Sequence, residues 1–291
     1  MSDSTLQSDN GNNVSSRISV NSSARLTFFS DKGQNTCLGN LYQTDPQRIL
    51  FPNIPIGDIT QAALVTTSGG LVGGDRISID IEMGKNTKAI VLPQAAEKIY
   101  RSSGLDTKIG ITFSLEDRSW LEYLPQETIL FQGSRLRRET KINLSKGARA
   151  FVGEILVFGR FGYGEKFSNG LIQDSWEIYK DGNNIWADSF HMEDHIQDIM
   201  SSSAGLNNAQ AIATAVYVGP DAKENLGIAR KILSLWNEDV LMGATYVNET
   251  LVIRWISNNT LNLRNEFGRF WSSFRNQVSN LPTTLPRLWN M

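Results

Sequence analysis

The sequence predicts a mainly β body followed by a smaller α+β part that carries two helices. Three observations lead there. Short runs through the first two-thirds alternate apolar and polar residues with period two, the mark of strands with one buried face. A six-residue pattern recurs: Ala89-Ile90-Val91-Leu92-Pro93-Gln94 resembles Leu121-Glu122-Tyr123-Leu124-Pro125-Gln126 at an offset of 126 − 94 = 32, and Arg149-Ala150-Phe151-Val152-Gly153-Glu154 follows at 154 − 126 = 28. After Asp188 the character changes, and helical spacing appears beside the strands.

In chain order, Arg17 to Phe29 opens the body, with Ile18 and Val20 and then Ala24, Leu26 and Phe28 facing one way. Ile77, Ile79, Ile81 and Met83 continue the alternation, as do Ile109, Ile111, Phe113 and Leu115. Turn chemistry separates these runs at Gly84-Lys85-Asn86, Glu116-Asp117-Arg118 and Ser145-Lys146-Gly147. Each copy of the repeat follows a strand and a turn, which suits the stacked coils of a β-solenoid; a sandwich of meandering hairpins would leave the same trace, so both stay open. Further on, Ala211 to Val218 reads as a strand. Asp221 with Glu224 makes a helix-start signal, and Leu226, Ala229, Leu233 and Trp236 follow at helical spacing. Thr245 to Trp255 reads as a strand pair turning near Asn248-Glu249. A last helix, from about Leu263 to Val278, sets Leu263, Phe267, Phe270, Trp271, Phe274 and Val278 on one stripe, either core or a docking face.

A chain of 291 residues can bury a substantial core, and a net charge of -2 gives no reason to expect nucleic acid or an anionic membrane as partner. The densest basic run, Arg135-Leu136-Arg137-Arg138, reads as a solvated strand edge protected by charge, with Arg135 and Arg137 on one face. Cys37 is the single cysteine, so no intrachain disulfide and no thiolate-rich metal site is possible; it reads as a small buried residue in a reducing compartment. No apolar run approaches the length that spans a bilayer. Residues 1–16 are polar and lack the features of a signal peptide, which predicts a disordered lead-in. The body then covers about 17–190 and the α+β part about 191–291. The expectation is a soluble, cytoplasmic protein.

The richest segment is Thr66-Thr67-Ser68-Gly69-Gly70-Leu71-Val72-Gly73-Gly74-Asp75-Arg76, two glycine pairs running into a strand. It fails as a P-loop, because Asp75-Arg76 stands where lysine and a hydroxyl would hold phosphate and magnesium, and a carboxylate there repels phosphate. It fails as a dinucleotide fingerprint, because a strand follows and not a helix. A structural turn is the better reading. His191, Glu193, Asp194 and His195 have the look of metal ligands, since histidines four apart share a helix face. They lack the glutamate directly after the first histidine that zinc proteases use as base. Gly159-Arg160-Phe161-Gly162-Tyr163-Gly164-Glu165 holds an arginine and a carboxylate on glycine-rich backbone, suited to an ion pair that fixes a turn.

Read together, these segments resemble the urease accessory protein UreD family, called UreH in some bacteria, over about Ile18 to Trp289. The anchors are Gly69-Gly70-Leu71-Val72-Gly73-Gly74-Asp75, Gln94-Ala95-Ala96 with Lys98 and Tyr100-Arg101, and Leu121 to Gln126. They continue through Phe131-Gln132-Gly133, Gly159-Arg160 with Gly164-Glu165, and Leu285-Pro286-Arg287-Leu288-Trp289. The family usually carries a histidine shortly before the first glycine pair, where this chain has Thr67-Ser68, and often a threonine where it has Glu97. A role for that histidine is therefore not carried over.

The resemblance implies a solenoid-like stack of strands with helices near the C-terminus. It also implies a non-catalytic scaffold that binds apo-urease with UreF and the GTPase UreG, and that supports nickel delivery to the urease active site. On that reading nickel is in transit, no cofactor is tightly bound, and GTP chemistry sits on the partner. Glu97, Asp75 and Glu165 become candidate lining groups of an internal polar passage, His191 and His195 weaker ones, and Trp271 a candidate contact for UreF. Two other classes compete: a metal-dependent hydrolase built on His191, Glu193 and His195, and a solenoid module for an unrelated partner.

Overall fold

A computed structural model describes residues 19–235 and 239–290. The lead-in over residues 1–16, the strand start at Arg17 and Ile18, and Trp236 lie outside the described residues. In chain order the elements are β1 (Asn21–Ser30), β2 (Thr36–Gln43), β3 (Gln47–Leu50), β4 (Thr60–Thr66), β5 (Arg76–Met83), β6 (Lys88–Pro93), β7 (Glu97–Ile99), β8 (Thr107–Leu115), β9 (Trp120–Tyr123), β10 (Glu127–Leu130), β11 (Arg135–Leu144), β12 (Arg149–Val157), β13 (Leu171–Lys180) and β14 (Asn183–Met192). There follow α1 (Ile196–Ser201), β15 (Ala211–Val218), α2 (Leu226–Leu233), β16 (Val240–Val247), β17 (Thr250–Ser257) and α3 (Thr260–Ser279).

The chain winds as a coil. Each circuit lays one strand in a first sheet, turns, and lays the next in a second sheet. The first sheet has the order β14-β13-β11-β8-β5-β1-β2, and the second β16-β17-β15-β12-β9-β6-β4-β3. Pairing is parallel from β1 through β5, β8 and β11 to β13, and from β4 through β6 and β9 to β12. Short β7 and β10 form a third side, with β10 lying between β7 and the end of β12. Stacked coils are thus the architecture, and the C-terminal antiparallel strands β15, β17 and β16 extend the second sheet. The three expected turns occupy equivalent corners, each with a left-handed residue: Asn86 at φ 60, Arg118 at φ 57 and Gly147 at φ 91.

The repeat identified in the sequence is the second sheet itself. Ala89 pairs with Leu121, the expected offset of 32, but Ala150 pairs with Leu121 and Arg149 with Trp120, an offset of 150 − 121 = 29 and not 28. Side-chain alternation decides this. A slip of one residue would turn Ala150 and Val152 away from the core between the sheets and put Arg149 there.

Two cores flank the second sheet. One lies between the sheets, where Ala24, Leu26, Phe28, Ile77, Ile79, Ile81, Phe113 and Leu136 meet Val91, Leu121 and Val152. The other lies on the far face of the second sheet, where Phe151, Tyr217 and Trp255 meet α2 and α3. The α3 stripe is core over Leu263, Phe267, Phe270, Trp271 and Phe274, which are fully buried and leave no docking surface on these side chains, while Val278 at its end is partly buried. Trp271 stacks on Phe151 at 3.6 Å and donates from its indole to Glu122 at 2.7 Å. Such approach requires Gly153, where an added Cβ would meet Phe267 at 2.7 Å. Asn259 caps α3, its side chain accepting from the Asn262 N–H at 3.0 Å. Arg275 near the other end donates to Glu122 at 3.0 Å and to Asp58 at 2.6 Å, all three side chains fully buried.

Several expectations need correction. The described residues hold three α-helices and not two, α1 being the addition. Asp221 and Glu224 do not cap: α2 begins at Leu226, and Asp221 instead accepts from Tyr217 and Arg149 at 2.7 and 3.3 Å. The arginine run is no sheet edge, for β11 lies between β8 and β13; Arg135 and Arg137 clasp Asp106 on the outer face, and Arg138 points inward and is buried. Cys37 sits half-buried on β2, an edge strand of the first sheet. No helix among the described residues is long and apolar enough to cross a membrane.

Trp271→Ala is expected to cost about 3–5 kcal/mol through the cavity left against Phe151. Arg275→Leu is expected to cost about 3–5 kcal/mol by stranding Glu122 and Asp58 without a counter-charge. Urea unfolding followed by tryptophan fluorescence measures both; wild-type midpoints would show that α3 is not integral to the fold.

Candidate functional site

The glycine run folds back against β7. Leu71 donates to the Lys98 carbonyl and accepts from the Tyr100 N–H, both at 2.8 Å. The Tyr100 hydroxyl donates to the Gly69 carbonyl at 3.0 Å. Gly70 has φ 141, and a Cβ there would lie 2.6 Å from the Lys98 carbonyl; one on Gly73 would lie 2.4 Å from that of Leu105. The turn is locked by Asp75, which is buried and accepts from the N–H groups of Val20 at 2.8 Å and Val72 at 2.9 Å. These contacts engage both of its oxygens in holding the turn.

Distant motifs meet at the same corner. Tyr100 meets Phe131 edge to face at 4.8 Å, and the Arg160 guanidinium lies 4.3 Å over the same ring. Arg160 is paired with Glu165, whose other oxygen accepts from the Gln132 N–H at 3.0 Å. The hydrogen bond from Arg160 holds the Glu165 carboxyl below its ordinary range. Arg101 bridges to Ser134 beside Gly133. Gly159 and Gly164 take φ 129 and φ 72 on either side of the 3-10 turn Phe161–Tyr163. Residues 69–75, 98–101, 131–134 and 159–165 thus build one face from four separate stretches.

Behind this face lies a cavity of about 200 Å³ between the sheets. Gly69, Gly70, Lys98 and Glu97 line its outer part, and Tyr123, Thr128, Arg138 and Glu154 its inner part. Glu97 accepts from the Thr66 hydroxyl at 2.9 Å, and burial pushes its carboxyl above the ordinary value. Burial likewise pushes the Tyr123 hydroxyl up to about 12. A second cavity, about 480 Å³, opens between β13–β14 and β15–β17, lined by Asp174, Asp188, Thr214 and Arg254. Glu154 and Trp176 line both.

At the junction Arg138 donates from Nε to both Asp174 oxygens at 3.1 Å and from one terminal nitrogen to the Thr128 hydroxyl at 3.1 Å. Its other terminal nitrogen contacts Glu154 and Asp174 together. Burial, and then the Asp174 charge, push the Glu154 carboxyl well up, while Asp174 and Glu154 overcome burial to hold the Arg138 guanidinium above its ordinary value. These three residues were not singled out from the sequence. The signal existed: Arg138 alternates with Leu136 and Thr140, and Asp174 with Ile172 and Trp176, on buried faces.

Of the residues expected at a passage, Glu97 lines the first cavity. Asp75 stands close enough for its charge to act on Glu97 but does not line that cavity. Glu165 lines a separate surface groove. His191 is exposed on β14, and His195 is 82% exposed just before α1, with Asp198 at 3.6 Å. The two therefore share no helix, and Glu193 is engaged by Arg135 at 2.8 Å. Among the described residues no three His, Cys, Asp or Glu side chains form a group that could hold a metal ion.

A family model described as UreD urease accessory protein matches residues 21–290. A urease accessory protein UreD from Magnetococcus marinus is 38% identical over 275 residues, covering 94% of each chain. One from Granulibacter bethesdensis is 36% identical over 241 residues, covering 83% of this chain and 99% of its own. One from Methylobacterium sp. is 34% identical over 260 residues, covering 88% and 90%.

The raised Glu97 carboxyl has a consequence for stability. Ionising it costs the folded state more than the unfolded one, so the penalty is absent below the ordinary value of 4.5 and complete above the raised one. Glu97→Gln keeps an acceptor for Thr66 and cannot ionise. It is expected to be more stable than wild type near pH ~8 and equal to it below about pH 4.5. Urea midpoints at the two pH values test this; a variant no more stable at the higher pH would contradict it.

Proposed function

Because the chain belongs to the UreD family of urease accessory proteins, we propose that it is a non-catalytic scaffold of urease maturation in the cytoplasm. It binds apo-urease together with UreF and the GTPase UreG, and nickel reaches the urease active site by way of its interior. The observation that carries this is the pair of cavities meeting at Glu154 along the axis of the coil. Their polar lining carries carboxylates, hydroxyls and amides beside the cations Lys98, Arg138 and Arg254, with no thiolate or imidazole. Oxygen donors bind divalent nickel less tightly than nitrogen or sulfur donors, which suits an ion that must leave again.

Nickel is the cargo on this reading and not a resident cofactor. It enters at the corner held by Gly69, Gly70 and Lys98, passes Glu97, and crosses the Glu154–Asp174 junction toward Asp188. Asp75 and Glu165 serve indirectly, by fixing the turn and the loop that frame the entrance. The hydrolase alternative gains no support, since it needs His191 and His195 side by side on a helix. The glycine turn offers no phosphate cradle either, consistent with nucleotide chemistry on the partner.

Co-expression with cognate UreF, UreG and apo-urease tests the proposal. Urease purified from cells with the chain should be active and carry nickel by mass spectrometry; urease from cells without it should be largely empty. Glu97→Ala should still co-purify with the partners and lower urease nickel several-fold. Normal nickel content with Glu97→Ala would remove that residue from the path, and full loading without the chain would overturn the scaffold.

A further inference from the structure

Arg138 stands where the two cavities join. It lines the first, Asp174 lines the second, and Glu154 lines both, so the three side chains form the wall between them. The guanidinium also engages both carboxylates. Its Nε reaches the two oxygens of Asp174, and one terminal nitrogen is shared by Asp174 and Glu154. A cation arriving from either side meets a fixed positive charge, and the negative groups that would receive it are already occupied.

We propose that Arg138 is the gate of this passage: a resident cation that a divalent metal ion must displace from Glu154 and Asp174 in order to cross. The inference rests on the reading that nickel travels through the interior. It adds the step that limits transit and the property that selects the ion. A guanidinium carries one charge and a divalent ion two, so a divalent ion can exchange for it on a pair of carboxylates where a monovalent ion gains nothing. The neutral contact with Thr128 lies on the side of the first cavity, into which the flexible side chain can swing. Trp176 borders both cavities beside Glu154, so the junction is walled by an indole as well as by the three charged side chains. At the rim of the second cavity Arg254 and Asp188 form an exposed pair at 2.5 Å.

The test uses the full chain and nickel ion as titrant in calorimetry. Arg138→Met should create one Ni²⁺ site bound roughly tenfold or more tightly than anything in wild type, because the vacated carboxylates then lack a counter-ion. The triple variant Arg138→Met, Glu154→Gln, Asp174→Asn should lose that site. In co-expression, Arg138→Met should deliver less nickel to urease, by retaining it. A folded Arg138→Met that binds Ni²⁺ no more tightly than wild type would overturn the gate. If Arg138→Met does not fold, wild type decides. With ¹⁵N-arginine label, Zn²⁺ should shift the Arg138 Nε–H resonance and speed its exchange with solvent, and an unchanged resonance would overturn the proposal. The two readings fail separately. Urease loading that needs no chain defeats the transport reading and the gate with it; loading that needs the chain, with Arg138→Met binding and delivering as wild type does, defeats the gate alone.

Discussion

The central strands of the second sheet, β6, β9 and β12, have no free face, and everything else is arranged around that constraint. One side meets the first sheet, the other meets α2 and α3, so a charge carried by its strands must be answered from a neighbouring layer. It carries two. Glu122 faces the helices and is met by Arg275 of α3; Glu154 faces the first sheet and is met by Arg138 of β11. A buried charge left unpaired costs several kcal/mol, so each pairing admits one placement of the layers and penalises the rest. Trp271 reinforces the first by donating to Glu122 while stacking on Phe151, which ties the helix to the sheet by charge and by packing together.

The two clusters use the same chemistry in opposite surroundings. Around Glu122 everything is closed: Arg275 is also held by Asp58 and by the Pro282 carbonyl at 2.8 Å, and rings fill the rest. Around Glu154 there is space on both sides. A salt bridge packed in rings can only hold. One bordered by cavities has somewhere for an arm to go, and this difference in packing, more than any difference in residue type, separates an anchor from a movable part.

Burial pattern also decides what could be read from the sequence. Strands of the first sheet have one solvated face, so Ile77-Ile79-Ile81 and Ile109-Ile111-Phe113 alternate visibly. The central strands of the second sheet are covered twice, and Phe151 to Phe158 is a continuous buried run that alternation cannot register. The repeat found those strands but missed the pairing by one residue, since a run buried on both faces carries no phase. The α3 stripe was legible as a stripe, whereas only the packing of Phe151 and Trp255 against it told core from docking face. The site was less legible. Glu97 could be picked from its motif, but Arg138 was masked by Arg135 and Arg137 beside it, whose partner Asp106 lies half-buried on the outer face. His191 and His195 looked like a pair only on the assumption of a helix that β14 and its turn replace.

On the transport reading, the first cavity explains how a coil with a packed core would also hold an ion briefly. Its first-sheet wall carries Ile77, Ile79, Ile109 and Ile111 beside Arg138 and Thr140; its second-sheet wall carries Thr66, Tyr123 and Glu154. Donors therefore stand mainly on one wall, opposite aliphatic surface that has nothing to offer a cation. An ion there keeps part of its water shell, because one wall cannot complete six-fold coordination, and a partly hydrated ion is bound weakly. The aliphatic wall also keeps the polar wall apart from the first sheet, so the space need not collapse into hydrogen bonds across the gap. Where the isoleucines end, Arg138 begins, and it closes the space with a charge that can be exchanged. On that reading, weak retention along the path and one exchange step at the Glu154 junction follow from how the two sheets divide their side chains.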